Sequence, residues 1–178
     1  NVTGVQTCAL PILSVNVSSH ELVDEGFAAR FLDRVAGAEA RPEWIALEVT
    51  EASLHGVGSI AHRNLVSLAD AGVTIAVDDF GTGTSSLERL VEHRIGRLKI
   101  DRRFVAGVAT DDRTRRLVTA MLAIASDLKL EVVAEGVEQE EQAAALRELG
   151  CAAAQGYLFA PAVPTTELVS VLADLRRA

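Results

Sequence analysis

"GVTIAVDDF", residues 72–80, decides the fold. Its run from Val73 to Val77 is apolar apart from Thr74, and two adjacent carboxylates, Asp78 and Asp79, follow. A strand with one wet face alternates apolar and polar residues. A strand covered on both faces, as in a parallel sheet, reads as nearly continuous. The acid pair then marks the carboxyl end of a buried strand, where parallel α/β folds build their sites. Like charges side by side repel, so that rim must also supply something positive.

The same pattern repeats on either side. "ILSVNV" (12–17), "WIALEVT" (44–50), "GRLKID" (96–101), "LEVVAEG" (130–136) and "AAAQGYLF" (152–159) are further apolar runs. Helical stretches separate them. "SSHELVDEGFAARFLDRVAG" is predicted as one helix, opened by a capping box from Ser18 to Glu21 and stopped at Gly37. "SIAHRNLVSLADAG", "SSLERLVEH" with a second box at Ser85 and Glu88, "DDRTRRLVTAMLAIASDLKL", "EQEEQAAALRELG" and "TTELVSVLADLRRA" complete the set. Six strand–helix units imply parallel strands joined by right-handed crossovers. They fit either a doubly wound sheet or most of a (β/α)8 barrel, which takes about 250 residues. Periodicity leaves both open.

Composition narrows the function. With 178 residues and 49% hydrophobic content, the chain can bury one sizeable core. A net charge of −8 and a pI of about 5.0 argue against binding a nucleic acid polymer or an anionic membrane. No apolar run reaches the ~18 residues of a membrane span. "VTGVQTCALPI", residues 2–12, resembles the translation of a common sequencing adapter. Residues 1–12 are therefore set aside as a non-native scar, the domain is expected over 13–178, and the natural N-terminus is expected to be lost near Leu13. Cys8 falls in that stretch. Cys151 is then the single native cysteine, which suits a reducing cytoplasm.

Polar residues collect at the strand ends: Asn16, Glu48 and Glu51, Asp78 and Asp79, Lys99 and Asp101, Glu135, and Gln155. In a parallel fold these converge on one rim. Hard oxygen donors with little His or Cys suit Mg²⁺ or Mn²⁺ better than Zn²⁺. His20, His55, His62 and His93 fall in or beside helices and read as solvated surface. Two cations about 3.5–4 Å apart can clamp the attacking and leaving oxygens of a phosphoester. Lys99 could hold a water or offset phosphate charge. Glu135, beside metal-bound water, could act as general base. Gly81 and Gly83 let the loop bend beside the metals. Each residue alone has a plainer explanation as a turn, a helix cap or an ion pair. Their conjunction at successive strand ends is what points to a site.

"NVSSHEL", "LEVTEASL", "DDFGTGTSSLERL", "LKIDRRFV", "VVAEGVEQEEQ" and "LGCAAAQGYLFAPAVP" resemble, in order and spacing, the EAL-domain phosphodiesterases of bacterial cyclic-di-GMP signalling. The resemblance implies a (β/α)8 TIM-type barrel with one antiparallel strand, here incomplete at about six units. It implies hydrolysis of cyclic-di-GMP to linear pGpG with two Mg²⁺ or Mn²⁺ ions. By resemblance, Asn16, Glu48 and Asp78 hold one metal, Asp78 bridges, and Asp79 and Glu135 hold the second. Lys99 matches the lysine that contacts the nucleophilic water, and Glu135 the proposed base. Glu51 matches the acid that anchors the "DFGTG" loop, linked to substrate binding and dimer formation. Gln155, Asp101 and Glu138 match further motif positions.

Two departures stand out. The signature Glu-Ala-Leu segment, with its metal-ligating glutamate, is absent, and Thr84 stands where an aromatic residue is frequent. The expectation is a partial EAL domain, weak or inactive by itself, from a cytoplasmic parent for which a homodimer, upstream sensory or GGDEF domains and a membrane tether through them all stay open. Two other readings compete with it: a degenerate EAL module that binds cyclic-di-GMP or a protein without cleaving it, and an unrelated two-metal barrel enzyme.

Overall fold

The computed structural model describes residues 13–54, 58–81, 87–164 and 166–168. The expectations for residues 1–12, His55, Gly83, Thr84, Ser85 of the second capping box and nearly all of the last helix lie outside the described residues.

Among the described residues, six strands form one sheet: β1 (Leu13–Asn16), β2 (Ile45–Thr50), β3 (Thr74–Phe80), β4 (Arg97–Ile100), β5 (Glu131–Ala134) and β6 (Ala153–Ala154). They lie side by side in sequence order, and all five pairings are parallel. A doubly wound sheet reverses its strand order at a switch point. Here there is no reversal, so right-handed crossovers put every connecting helix on the same side. This is the wall of a (β/α) barrel. None of the described pairings is antiparallel.

Among the described residues, seven α-helices line the outside: α1 (Ser19–Leu22), α2 (Phe27–Gly37), α3 (Ser59–Asp70), α4 (Leu87–Glu92), α5 (Arg102–Gly107), α6 (Asp112–Asp127) and α7 (Glu140–Glu148). Among the described residues, no helix is long and apolar enough to cross a membrane. Leu47, Val49, Ile75, Val77 and Leu98 point outward, and with Leu65 and Leu68 of α3 they form a core that excludes water. Alternate residues, Ala46, Glu48, Ala76, Asp78, Arg97 and Lys99, share the inner face. That face is small or charged. A second core joins Ile100, Val105, Val118, Val137 and Leu146 under α5, α6 and α7.

The structure corrects several local expectations. The helix predicted over 18–37 is two helices. Its capping box is present, with the Glu21 N–H donating to Ser18 Oγ at 3.3 Å and the Ser18 N–H to Glu21 Oε2 at 3.0 Å. The chain then turns where Asp24 Oδ1 accepts from the Gly26 N–H at 2.9 Å. Buried Asn64 stabilises the break, its Nδ2 donating to the carbonyls of Leu22 and Asp24, both at 2.8 Å. Helix α5 was not anticipated, and β6 is only two residues long. His93 is not solvated surface: it is 3% exposed, with its Nδ1 3.0 Å from His62 Nδ1. It follows α4 and packs back onto α3 through that contact.

Candidate active site

Strand register places the rim residues. Asn16 pairs with Glu48, Thr50 with Asp78, and Lys99 with Val133, two residues before Glu135. Neighbours at one register in a parallel sheet point the same way, and so do residues two apart on a strand. Glu48, Asp78, Lys99 and Glu135 therefore share the inner face at its carboxyl end.

Regular alternation would send Asp78 and Asp79 to opposite faces. The β3–β4 register prevents this. Val77 pairs with Leu98, yet the next pair is Phe80 with Ile100, so two residues of β3 stand against one of β4. The strand bulges there, and bulges re-aim side chains. Asp79 takes a φ of +55°, and its N–H donates to Asp78 Oδ1 at 3.0 Å. Asp78, Asp79 and Glu135 each bring an oxygen within 4.8 Å of the others. Just beyond, Gly81 has φ +91°, and its N–H donates to Oε2 of buried Glu51 at 3.0 Å. A side chain at 81 would collide with Met121.

Lys99 is the positive group at this rim. Its Nζ lies 2.6 Å from Glu48 Oε2, 2.5 Å from Glu135 Oε1 and 3.2 Å from Asp78 Oδ1. Burial works against its charge, but the bonds to Glu135 and Glu48 outweigh that and hold its pKa above the usual lysine value. Burial pushes Glu135 up to about 7; Lys99 opposes this, and the charge of Asp78 adds to it. Gln155 follows β6, and its Nε2 donates to the same Glu135 Oε1 at 2.6 Å. Asp79 is raised chiefly by a hydrogen bond shared with Asp101, then by burial and the charge of Asp78. Burial also works to raise Asp101, but it caps α5, accepting from the Arg103 N–H at 2.7 Å and Arg103 Nε at 2.9 Å, and is held low.

The structure thus brings Glu48, Asp78, Asp79, Lys99, Asp101, Glu135 and Gln155 together, with Glu51 bracing the chain at Gly81. Asn16 is exposed at the register of Glu48. Glu138 is exposed before α7, where its N–H donates to Gln142 Oε1. Among the described residues, no hydrogen bond or ion pair joins either side chain to the cluster. A cavity of about 300 Å³ opens beside it, lined by Asp79, Asp101, Arg102, Glu135, Gly136 and Gln155. Sequence reasoning missed Arg102. Its position directly after a rim aspartate was the available signal.

The EAL domain family model matches residues 5–162. The chain belongs to the EAL domain family. RocR, a cyclic di-GMP phosphodiesterase of Pseudomonas aeruginosa, is 38% identical over 152 residues, covering 85% of this chain and 39% of RocR. This EAL chain thus spans about two fifths of that relative. The EAL domain of Mycobacterium smegmatis DcpA superposes with a TM-score of 0.86 at 35% identity, covering 92% of this chain and 73% of that one. BlrP1 of Klebsiella pneumoniae, solved with manganese and cyclic-di-GMP, superposes with a TM-score of 0.77 at 30% identity, covering 83% of this chain and 38% of that one.

Proposed function

We propose that this EAL chain carries the rim of a phosphodiesterase that hydrolyses cyclic-di-GMP to linear pGpG. The observation that carries the reading is the convergence of Glu48, Asp78 and Glu135 on the single ammonium of Lys99. That leaves an excess of negative charge beside an open cavity.

The donor set fits two hard divalent cations, Mg²⁺ or Mn²⁺, because it consists of carboxylate and amide oxygens without thiol or imidazole. Asn16, Glu48 and Asp78 would hold one ion; Asp78, Asp79 and Glu135 would hold the other. Bound there, the ions would make a water more acidic and neutralise the phosphoryl oxygens. The chain's own groups do the rest. Glu135, held at the rim beside Lys99 and Asp78, accepts a proton from the attacking water. Lys99 and Gln155 both bond to its Oε1 and fix the orientation of the carboxyl group. The water oxygen bonds to phosphorus, the bond from phosphorus to the 3′ oxygen breaks, that oxygen takes up a proton from solvent to become the 3′-hydroxyl, and a 5′-phosphate remains on pGpG. Asp101 and Glu51 position the bulge and the start of the following loop.

No Glu-Ala-Leu segment occurs in the sequence, so one metal ligand implied by the family resemblance has no counterpart. Weak turnover is therefore expected of this chain by itself. The proposed setting is the cytoplasm, which free Cys151 suits. Incubation with cyclic-di-GMP and Mn²⁺, followed by chromatography, tests the reading. The expected result is pGpG that disappears in excess chelator. Binding without product would favour the non-catalytic module, and turnover unchanged by chelator would overturn the mechanism.

A further inference from the structure

Three cations stand at the active-site rim: Lys99, Arg102 and Arg103. Two are committed. Lys99 is surrounded by three carboxylates, and Arg103 bonds to Asp101. Arg102 lines the same cavity and is exposed, and among the described residues no carboxylate pairs with it. That is unexpected, because Asp79, Asp101 and Glu135 line the cavity with it. A long cation beside three acids would ordinarily close on one of them.

Its place is also fixed. Arg102 opens α5, immediately after the capping aspartate Asp101. On its other side, Gly136 follows Glu135 with φ +67°, and a Cβ there would lie 2.5 Å from Arg102 Cβ. Glycine at 136 thus meets two needs: the left-handed backbone, and room for the Arg102 stem against the chain that carries Glu135. The packing holds the root of Arg102 at the cavity wall and leaves its guanidinium uncommitted.

We propose that Arg102 binds the phosphodiester of the cyclic dinucleotide that is not being cleaved. This rests on the function proposed above. The substrate carries two phosphodiesters, and only one can sit at the carboxylate cluster at a time. The other needs a cation that the cluster does not consume. A guanidinium fork matches two phosphate oxygens in geometry and charge. Arg102 is therefore a substrate-binding residue, outside proton transfer and metal ligation.

The test compares wild type with Arg102→Ala and Arg102→Lys by calorimetry in Ca²⁺. The ligands are cyclic-di-GMP and an analogue with one phosphodiester replaced by a neutral methylphosphonate. Arg102→Ala should weaken cyclic-di-GMP binding about tenfold or more. Arg102→Lys should recover part of that, since it keeps the charge and loses the fork. Wild type should bind the neutral analogue more weakly, while Arg102→Ala should hardly distinguish the two ligands. Mn²⁺ affinity should be unchanged in both variants. Unaltered cyclic-di-GMP affinity in Arg102→Ala overturns the assignment alone. So does an equal loss for both ligands, which would indicate a guanine contact. A wild-type chain that neither binds nor cleaves the dinucleotide overturns the proposed function, and this assignment with it.

Discussion

Strand β4 carries two buried cations on one face, two residues apart, and they keep different company. Arg97 meets a single carboxylate, its Nε and Nη2 donating to Glu131 Oε2 at 3.1 and 2.7 Å. Lys99, toward the carboxyl end, meets three. At Arg97 the charges cancel, and Glu131 is 68% exposed, so solvent screens the pair. At Lys99 one positive charge faces three acids, each less than one-fifth exposed. The two pairs share a strand, a face and a sign of charge; the local count of acids separates structure from chemistry. The amino end is a closed ion pair. The carboxyl end still calls for positive charge, and a proton on Glu135 or a divalent ion can supply it.

Breaking the crowded end should have the largest effect. Lys99→Met strands buried Glu48 and partly buried Asp78 and Glu135, and should cost about 3–5 kcal/mol in metal-free urea unfolding, with turnover abolished. Added Mn²⁺ should restore part of the stability. A loss under about 1 kcal/mol would mean that the acids do not depend on Lys99.

Glu135→Gln should lower turnover on the order of 10²–10⁴-fold. It should also flatten a pH dependence. Burial raises Glu135 from 4.5 to about 7 in the folded chain. The folded state therefore holds more protons than the unfolded state between those values. Metal-free stability should fall as pH rises through that window and level off above it. Thermal unfolding across that range, for wild type and variant, measures the difference.

Asp111 sharpens the contrast with the opposite sign. It caps α6, accepting from the Arg113 and Thr114 N–H groups at 3.2 and 3.0 Å. The hydroxyl and N–H of Thr114 lead in holding its pKa below 3.8. Its stabilising contribution is present above that unfolded value and lost as pH falls through the lower folded one. Asp111→Ala should lower Tm at neutral pH and progressively less in acid, without changing turnover. Glu131→Gln should have the smallest effect, about 1 kcal/mol or less, again with turnover unchanged.

The contrast also shows what sequence can reveal. The apolar runs of β2 and β3 were legible because burial on both faces suppresses alternation, whereas β4 alternates Arg97 and Lys99 with Leu98 and Ile100. Acids at their ends were legible because carboxylates seldom close a buried strand without a partner. The bulge at Asp79 was not: no local pattern says that two residues of β3 will oppose one of β4. Nor was the break between α1 and α2, which depends on Asn64, about forty residues away in sequence. Asp101 read as a strand end, and only the structure shows it capping α5 and so placing Arg102. His93 looked polar in a helix flank; its burial depends on His62, 31 positions earlier.

The central claim is that the surplus of carboxylates around Lys99 is a site for divalent cations. Calorimetric titration of the chain with Mn²⁺, beside Asp78→Asn and Asp79→Asn, tests it most directly. The expected result is saturable binding by wild type, severe loss in Asp78→Asn and partial loss in Asp79→Asn. Absence of binding by wild type, or equal affinity in all three proteins, would contradict it.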